Sequence, residues 1–236
     1  MKKVLTVILA AALLFALASC GTTNEPATSE NTQSAPESTA ANNEISNPDT
    51  AAETENMTTE AITETKILVV YFSRTGEQYS VGNIDKGNTA IVAEMIAEKT
   101  GADLYEILPE TDYPYTYSEL TDIAKEEQSD NSRPKIKGEL PDVSKYDTIF
   151  IGAPVWWGDW PMICYTFFES VDLSGKDLVP FSTHEGSGLS GFDGKLASAV
   201  PGATVLTGQA FRGTDCQNNQ ADVKAAVDKW IGGIGY

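Results

Sequence analysis

Two short runs of the sequence are apolar at nearly every position, and this feature constrains the fold most strongly. Residues 67–72 (ILVVYF) and 148–153 (TIFIGA) show no alternation between apolar and polar side chains. A strand with one face in water alternates, so these runs are typical of strands buried on both faces of a parallel sheet. They therefore predict an α/β domain with a parallel sheet at its centre.

Segments with helical spacing lie between the predicted strands. Residues 88–99 have apolar side chains at helical spacing and precede Gly101, which is typical of a helix C-cap. Strands that alternate with helices predict a doubly wound sheet, covered by helices on both faces, whose ligands bind beyond the carboxyl ends of the strands. Further helices are predicted at 118–127, 163–171 and 221–231, and further strands at 103–108, 178–183 and 203–206.

The N-terminal residues have the composition of a secretion signal. Lys2 and Lys3 precede an apolar run that is too short for a comfortable membrane span of about 20 residues. Residues 17–21 (LASCG) resemble the lipobox of bacterial lipoproteins, in which the cysteine becomes the lipidated N-terminus. We therefore predict a signal peptide over 1–19 and lipidation of Cys20, which would anchor the protein to the extracytoplasmic face of the bacterial cell membrane. An ordinary cleaved signal with an incidental Cys20 is the alternative.

Residues 20–65 are predicted to be a disordered, lipid-anchored linker. They carry nine acidic residues, no Lys or Arg and no aromatic residue. Such a segment cannot bury enough apolar surface to offset its chain entropy. It would tether a single domain, residues 66–236, to the membrane, although a recognition tail is the alternative. The formal net charge of −18 for the whole chain argues against nucleic acid as a partner.

The loop after the first strand contains the residue types of an anion site. Its hydroxyl and glycine residues are interrupted by an insertion, residues 77–86, and resume at the start of the first helix. Hydroxyl groups, free amides and a helix N-terminus can bind phosphate without lysine. A plain strand-to-helix turn with an Asn cap is the alternative. The candidate residues are Ser73, Thr75, Gly76, Gly87, Asn88 and Thr89.

Two further loops follow strands 148–153 and 178–183. The first contains two consecutive tryptophans, whose flat side chains can stack on a planar ligand. The second contains His184, the only histidine, which could relay a proton or merely bond local backbone. The G-x-G-x-x-G pattern at 186–191 follows the wrong strand for a dinucleotide site. The candidate residues are Pro154, Val155, Trp156, Trp157 and Gly158 in the first loop, and Thr183, His184, Glu185, Gly186 and Ser187 in the second.

Together, the three loops resemble those of the flavodoxin family. Residues 71–76 with 87–89 resemble its phosphate loop, opened by the insertion, while 151–161 and 181–188 resemble its two flavin-ring loops. The resemblance covers residues 66–236 and implies a flavodoxin-like sandwich with five parallel strands in the order 2-1-3-4-5. It implies FMN as the cofactor, bound by the candidate residues above. Residues 198–204 depart from the signal for covalent flavin attachment, so the FMN would be non-covalent.

The resemblance also implies a role in electron transfer or in the reduction of a quinone or other small acceptor by NAD(P)H. Many flavodoxins have a stacking aromatic residue where this chain has His184, so one ring face would be open to a substrate. This favours an oxidoreductase with His184 as its candidate catalytic residue. The alternative is an electron carrier that docks with a redox protein and has no substrate of its own. The insertion 77–86 is either a lid or a packed loop.

Two cysteines, Cys164 and Cys216, lie within the predicted domain. Outside the cytoplasm they could form a disulfide, but buried free cysteines are also common. The spacing of Cys, His and acidic residues predicts no metal site.

Overall fold

The computed structural model describes residues 66–236. The predictions of a signal peptide over 1–19, of lipidation at Cys20 and of a linker over 20–65 lie outside these residues. The strands are β1 (Ile67–Tyr71), β2 (Gly76–Gln78), β3 (Gly82–Ile84), β4 (Asp103–Glu106), β5 (Thr148–Pro154), β6 (Asp177–His184), β7 (Thr204–Val205) and β8 (Gln209–Arg212). The helices are α1 (Asn88–Thr100), α2 (Tyr117–Ser129), α3 (Met162–Ser170), α4 (Phe192–Ala199), α5 (Gly213–Asn218) and α6 (Gln220–Gly233).

Six of these strands form one parallel sheet. Its order is β4-β1-β5-β6-β7, and β8 also pairs with β6. This is the predicted order 2-1-3-4-5, so the prediction of a doubly wound parallel sheet is confirmed. The register places Pro154 opposite Thr183, and His184 opposite Arg212. The loops that follow β5, β6 and β8 therefore begin side by side at one edge of the sheet.

The fifth predicted strand is divided into two pieces. Thr204–Val205 pairs with the start of β6, and Gln209–Arg212 pairs with its end. The Leu206 amide donates to the Leu178 carbonyl (2.8 Å), and the return bond of this parallel ladder would come from Pro180. Proline has no N–H to donate, so the ladder stops there. The prediction of a strand at 203–206 was therefore incomplete, because it missed β8.

The two faces of the sheet carry separate apolar cores. Trp160 and Phe192 belong to the core beneath α3 and α4, while Val92 and Val227 belong to the core beneath α1 and α6. Cys164 lies in the first core and Cys216 in the second, and both thiols are free. The sheet separates the two sulfur atoms, so a disulfide between them is excluded. Within the described part, no helix has the length and apolarity needed to cross a membrane.

The insertion 77–86 contributes a small hairpin. Strands β2 and β3 pair antiparallel, with Gln78 opposite Gly82. Ile84 at its base is buried, whereas Tyr79 at its tip is 59% exposed. The insertion is therefore packed at its base, and its tip stands at the surface.

Candidate functional site

A pocket of about 470 Å³ lies beyond the carboxyl ends of β5 and β6. Its volume is in the range of small-molecule sites in proteins. Two groups of residues line it. Those predicted from the sequence are Asn88, Pro154, Val155, Trp156, Trp157, Thr183, His184, Glu185 and Ser187. Those that the sequence analysis missed are Gln78, Tyr79, Tyr117, Leu120, Thr121 and Ala124.

The other predicted residues of the loop between β1 and α1 lie behind the pocket lining. Ser73 Oγ accepts a hydrogen bond from the Ala90 amide (3.1 Å) and so caps α1. A Cβ at Gly87 would lie 2.1 Å from that oxygen, so only glycine leaves room for the cap. Thr89 is buried, and its hydroxyl lies 2.8 Å from that of Thr183. These contacts join the β1–α1 loop to β6 beneath the pocket.

Two other predicted residues of the β1–α1 loop lie at or beside the hairpin. Gly76 has a φ of +89° and is packed against Tyr115, and Thr75 is exposed. Gly158 and Gly186, from the other two loops, are also exposed and lie outside the lining. Binding of a ligand by any of these residues stays a prediction.

The N-terminus of α1 provides the anion-binding features of the pocket. Its first turn contains no acidic residue, and amides there carry the positive end of the helix dipole. Asn88 stands at this end and lines the pocket. Its Oδ1 accepts a hydrogen bond from Gln217 Nε2 (2.7 Å), which leaves its Nδ2 group as the donor. The side chain is thereby held between Gln217 and Gly213, beside the helix N-terminus.

The two consecutive tryptophans occupy different environments. Trp156 is packed edge-on against Phe72 and Tyr113, with ring centroids 5.3 and 5.0 Å away. Trp157 is 52% exposed. Its Nε1 donates to the Thr121 carbonyl (2.9 Å), and the Lys125 ammonium lies 5.1 Å from its ring centroid. Trp156 therefore belongs partly to the core, whereas about half of the Trp157 side chain is exposed and could contact a ligand.

A tight turn places Trp157 at the pocket. Trp156 and Asp159 exchange both backbone hydrogen bonds (2.9 Å each), and the two residues between them have φ values of +49° and +75°. Positive φ at both central positions is typical of a type I′ turn. This conformation is unfavourable for a bulky residue such as Trp157. Local strain of this kind is common at functional sites.

The backbone of Val155 is already paired. Its amide donates to the Thr183 carbonyl (3.0 Å) and so continues the β5–β6 ladder. The Val155 amide is therefore not free to donate to a ligand, although Val155 does line the pocket, and its contact with a cofactor stays a prediction.

His184 stands at the end of β6 in a defined tautomer. Its Nδ1 accepts a hydrogen bond from the Gly186 amide (2.8 Å), so in the neutral ring the proton is on Nε2. Burial lowers the pKa of His184, the Glu185 carboxylate opposes this effect, and the Arg212 guanidinium adds to it. The side chain is therefore a neutral donor through Nε2 over most of the physiological range.

Glu185 supports the second loop rather than offering a free carboxylate. Its oxygens accept hydrogen bonds from the Thr214 amide (2.6 Å), the Thr214 hydroxyl (2.9 Å) and Arg212 Nε (3.2 Å). A Cβ at Gly213 would lie 2.9 Å from its Oε1, so glycine there permits this approach. The carboxylate connects the end of β6 to the start of α5.

The second wall of the pocket comes from α2 and the hairpin. The residues of α2 that line the pocket are Tyr117, Leu120, Thr121 and Ala124. They follow the i, i+3, i+4, i+7 spacing of one helix face, which is the sequence signal that could have identified them. The hairpin residues Gln78 and Tyr79 had no such signal, because strands of three residues are too short for a pattern.

Comparisons with known proteins agree on the family. A family model described as flavodoxin matches residues 66–231. The structure is similar to a candidate flavoprotein from Bacteroides eggerthii, with 31% identity and a TM-score of 0.59 over 73% of this chain and 99% of the other. It is also similar to one from Bacteroides uniformis, with 32% identity and a TM-score of 0.58 over 71% and 98%.

A third structure is more distant. It is a flavoprotein from Lactobacillus acidophilus in complex with FMN, with 23% identity and a TM-score of 0.51 over 66% of this chain and 99% of the other. A comparison with curated proteins found no match. The family match over most of the domain, together with the two Bacteroides structures, shows that this chain belongs to the flavodoxin family.

Proposed function

We propose that this protein is an FMN-binding oxidoreductase that passes electrons from NAD(P)H to a quinone or another small acceptor. The observation that carries the proposal is that the α1 N-terminus, the Trp156–Trp157 turn and the end of β6 line the same pocket. Flavin enzymes need such a pocket, with an anion site at one end and flat apolar surface at the other. Family membership and the FMN complex of the Lactobacillus acidophilus flavoprotein support the choice of cofactor.

The residues present fit FMN. Amides at the acid-free first turn of α1 and the Nδ2 group of Asn88 are suited to a phosphate. Trp157 offers an exposed indole face to the isoalloxazine ring, and the Nε2–H of His184 can donate to a polar edge of the ring or of a substrate. Bound FMN would supply the electron chemistry, and the side chains position it and exclude water.

The FMN proposal is tested by titrating the purified full chain with FMN and with riboflavin while flavin fluorescence is recorded. We expect FMN to bind more tightly, because only FMN has a phosphate. Asn88→Ala should weaken FMN binding and leave riboflavin binding nearly unchanged. Asn83→Ala, at an exposed asparagine of the hairpin, is the control. A chain that binds neither flavin would refute the proposal.

The second pocket wall favours an enzyme over the alternative, an electron carrier that docks with a redox protein. Leu120 and Ala124 are buried beneath this wall, and Tyr79 stands at its rim, so the pocket has an apolar side beyond the flavin loops. NAD(P)H oxidation that depends on added 1,4-naphthoquinone supports the enzyme. Electron exchange with a protein partner alone, without such turnover, supports the carrier.

We also propose that Cys20 is lipidated and anchors the protein to the extracytoplasmic face of the cell membrane. The support is the order of Lys2-Lys3, the apolar run and Leu17-Ala18-Ser19-Cys20-Gly21 in the sequence. In a bacterial host, the full chain should incorporate a palmitate analogue and sediment with membranes. Cys20→Ser should abolish both, and sedimentation of this variant with membranes at the wild-type level would contradict the proposal.

A further inference from the structure

The part of the pocket lining that comes from the hairpin and α2 carries two neighbouring tyrosines. Tyr79 stands at the tip of the hairpin and Tyr117 at the start of α2. Their ring centroids are 5.8 Å apart, with 33° between the ring planes. Both line the pocket, and Tyr79 is 59% exposed. Exposed aromatic rings at a pocket offer apolar faces on which a planar ligand can stack.

The hairpin that carries Tyr79 is held firmly. The Arg74 guanidinium donates to three carbonyl oxygens, those of Glu77, Pro114 and Tyr115. The Glu77 amide donates in turn to the Tyr115 carbonyl (3.0 Å). Exposed aromatic surface on a fixed support is typical of a binding surface, because little freedom is lost when a ligand docks.

A carboxylate joins the hairpin directly to α2. Glu77 Oε2 accepts a hydrogen bond from the Tyr117 amide (2.8 Å), at the first residue of the helix. The same bond connects the two elements that carry Tyr79 and Tyr117, whose rings are neighbours. The two side chains can therefore contact the same ligand.

The charges beside this surface limit what it can bind. Glu77 and Glu119 place carboxylates at the start of α2. Arg74, the nearby cation, is already surrounded by carbonyl oxygens. These carboxylates disfavour an anionic ligand next to Tyr79 and Tyr117, whereas a planar uncharged ligand gains the stacking there without an electrostatic penalty.

We propose that Tyr79 and Tyr117 form the platform on which a planar, uncharged aromatic acceptor is held in the same pocket as the flavin loops. The platform rests on the proposed function, since the acceptor would receive electrons from the bound flavin. It assigns to the inserted hairpin the role of determining which acceptors the protein uses. His184, at the end of β6, lines the same pocket, and its Nε2–H is a donor for a carbonyl oxygen of the acceptor.

The platform is tested by equilibrium binding, without turnover. The probe is 1,4-naphthoquinone, added to the full chain loaded with oxidised FMN and with no electron donor present. Tyr79→Ser should raise the Kd for the quinone about tenfold, by analogy with aromatic stacking of bases. The Kd for FMN should change by less than about twofold, because Tyr79 is not one of the residues proposed to hold the flavin.

The matched control is Leu104→Ser. Leu104 is an exposed apolar residue, 46% exposed, on the edge strand β4, and it is not part of the pocket lining. Its substitution should leave both dissociation constants unchanged. Tyr117→Phe, which keeps the ring, should retain quinone binding and so show that the aromatic face matters rather than the hydroxyl.

The proposed function is tested separately by the FMN titration of the wild-type chain. If that chain binds FMN and Tyr79→Ser leaves the quinone Kd unchanged, the platform alone is overturned. An equal rise in the Kd values for FMN and quinone would also overturn it, because Tyr79 would then contact the flavin.

Discussion

The loops after β5 and β6 flank the same pocket, and each pairs a residue that anchors the loop with a neighbour whose side chain is available to a ligand. In the first loop the anchor is Trp156, which packs edge-on against aromatic rings of the core, and Trp157 offers the surface. In the second loop the anchor is Glu185, which accepts hydrogen bonds from Thr214, and His184 offers the donor. One anchor is apolar and the other is charged.

The difference between the anchors follows from what each loop must present. A stacking surface needs only to be near the ligand, so nondirectional apolar packing is sufficient to hold it. A hydrogen-bond donor must also point in the right direction, and directional bonds to a carboxylate fix that orientation. The anchors should therefore affect stability, whereas their neighbours should affect ligand binding. Four predictions test this division, in order of expected effect.

The apolar anchor should give the largest loss of stability. Trp156→Ala removes a partly buried indole between Phe72 and Tyr113, and we expect a loss of about 3 kcal/mol in the free energy of unfolding. Urea unfolding followed by circular dichroism measures it. Trp157→Ala, at the exposed neighbour, should cost less than about 1 kcal/mol. Equal losses for the two variants would contradict the assignment of Trp156 as the anchor.

The charged anchor should give a smaller loss. Glu185→Ala leaves the Thr214 amide and hydroxyl without their acceptor at the start of α5, which should cost about 2 kcal/mol. The matched control is Glu98→Ala, whose carboxylate is exposed and paired with Lys224. That surface pair should contribute at most about 1 kcal/mol, and the same urea titrations compare the two variants. Similar values for both would mean that Glu185 does not anchor the loop.

Trp157 should act on the ligand rather than on the fold. Trp157→Gly relieves the positive φ of 49° while it removes the stacking surface. We expect the FMN Kd to rise about tenfold by loss of stacking, with the unfolding free energy within about 1 kcal/mol of wild type. Fluorescence titration and urea unfolding of the same preparation measure both. A variant that loses stability but retains FMN affinity would reverse the roles of the two tryptophans.

The sequence predicted the neighbours better than the anchors. The apolar runs placed β1, β5 and β6, and their order brought the Trp156–Trp157 pair and His184 to one edge of the sheet. Which tryptophan would be the anchor depends on the turn that Trp156 closes with Asp159, and no local pattern encodes that turn.

The partner of Glu185 could not be predicted either. It is Thr214, which follows β8. Strand β8 was not predicted, because the ladder between β6 and β7 ends at Pro180 and β8 pairs with β6 only beyond it. Contacts that depend on register between distant segments are specified by the assembled sheet. The continuous apolar runs, in contrast, are visible in a single stretch of sequence.

His184 should give the smallest effect, and its sign follows from its pKa. Burial lowers the pKa below the ordinary value of 6.5, so the unfolded chain binds the proton more readily than the folded one. The contribution to stability is therefore present above pH 6.5 and decreases as the pH falls below that value through the lowered pKa. Protonation of Nδ1 would also break the bond that it accepts from the Gly186 amide.

The pH effect is isolated by a difference between two variants. Carboxylates titrate at lower pH in both chains, so the unfolding free energy of His184→Asn is subtracted from that of wild type at each pH between 5 and 8. We expect the difference to shift against the wild type as the pH falls, because only the wild-type chain carries the penalised imidazole. A difference that shifts the opposite way would mean that Glu185, rather than burial and Arg212, dominates the environment of the ring. The charged anchor would then stabilise the imidazolium, and the second loop would present a cation at mildly acidic pH instead of a neutral donor.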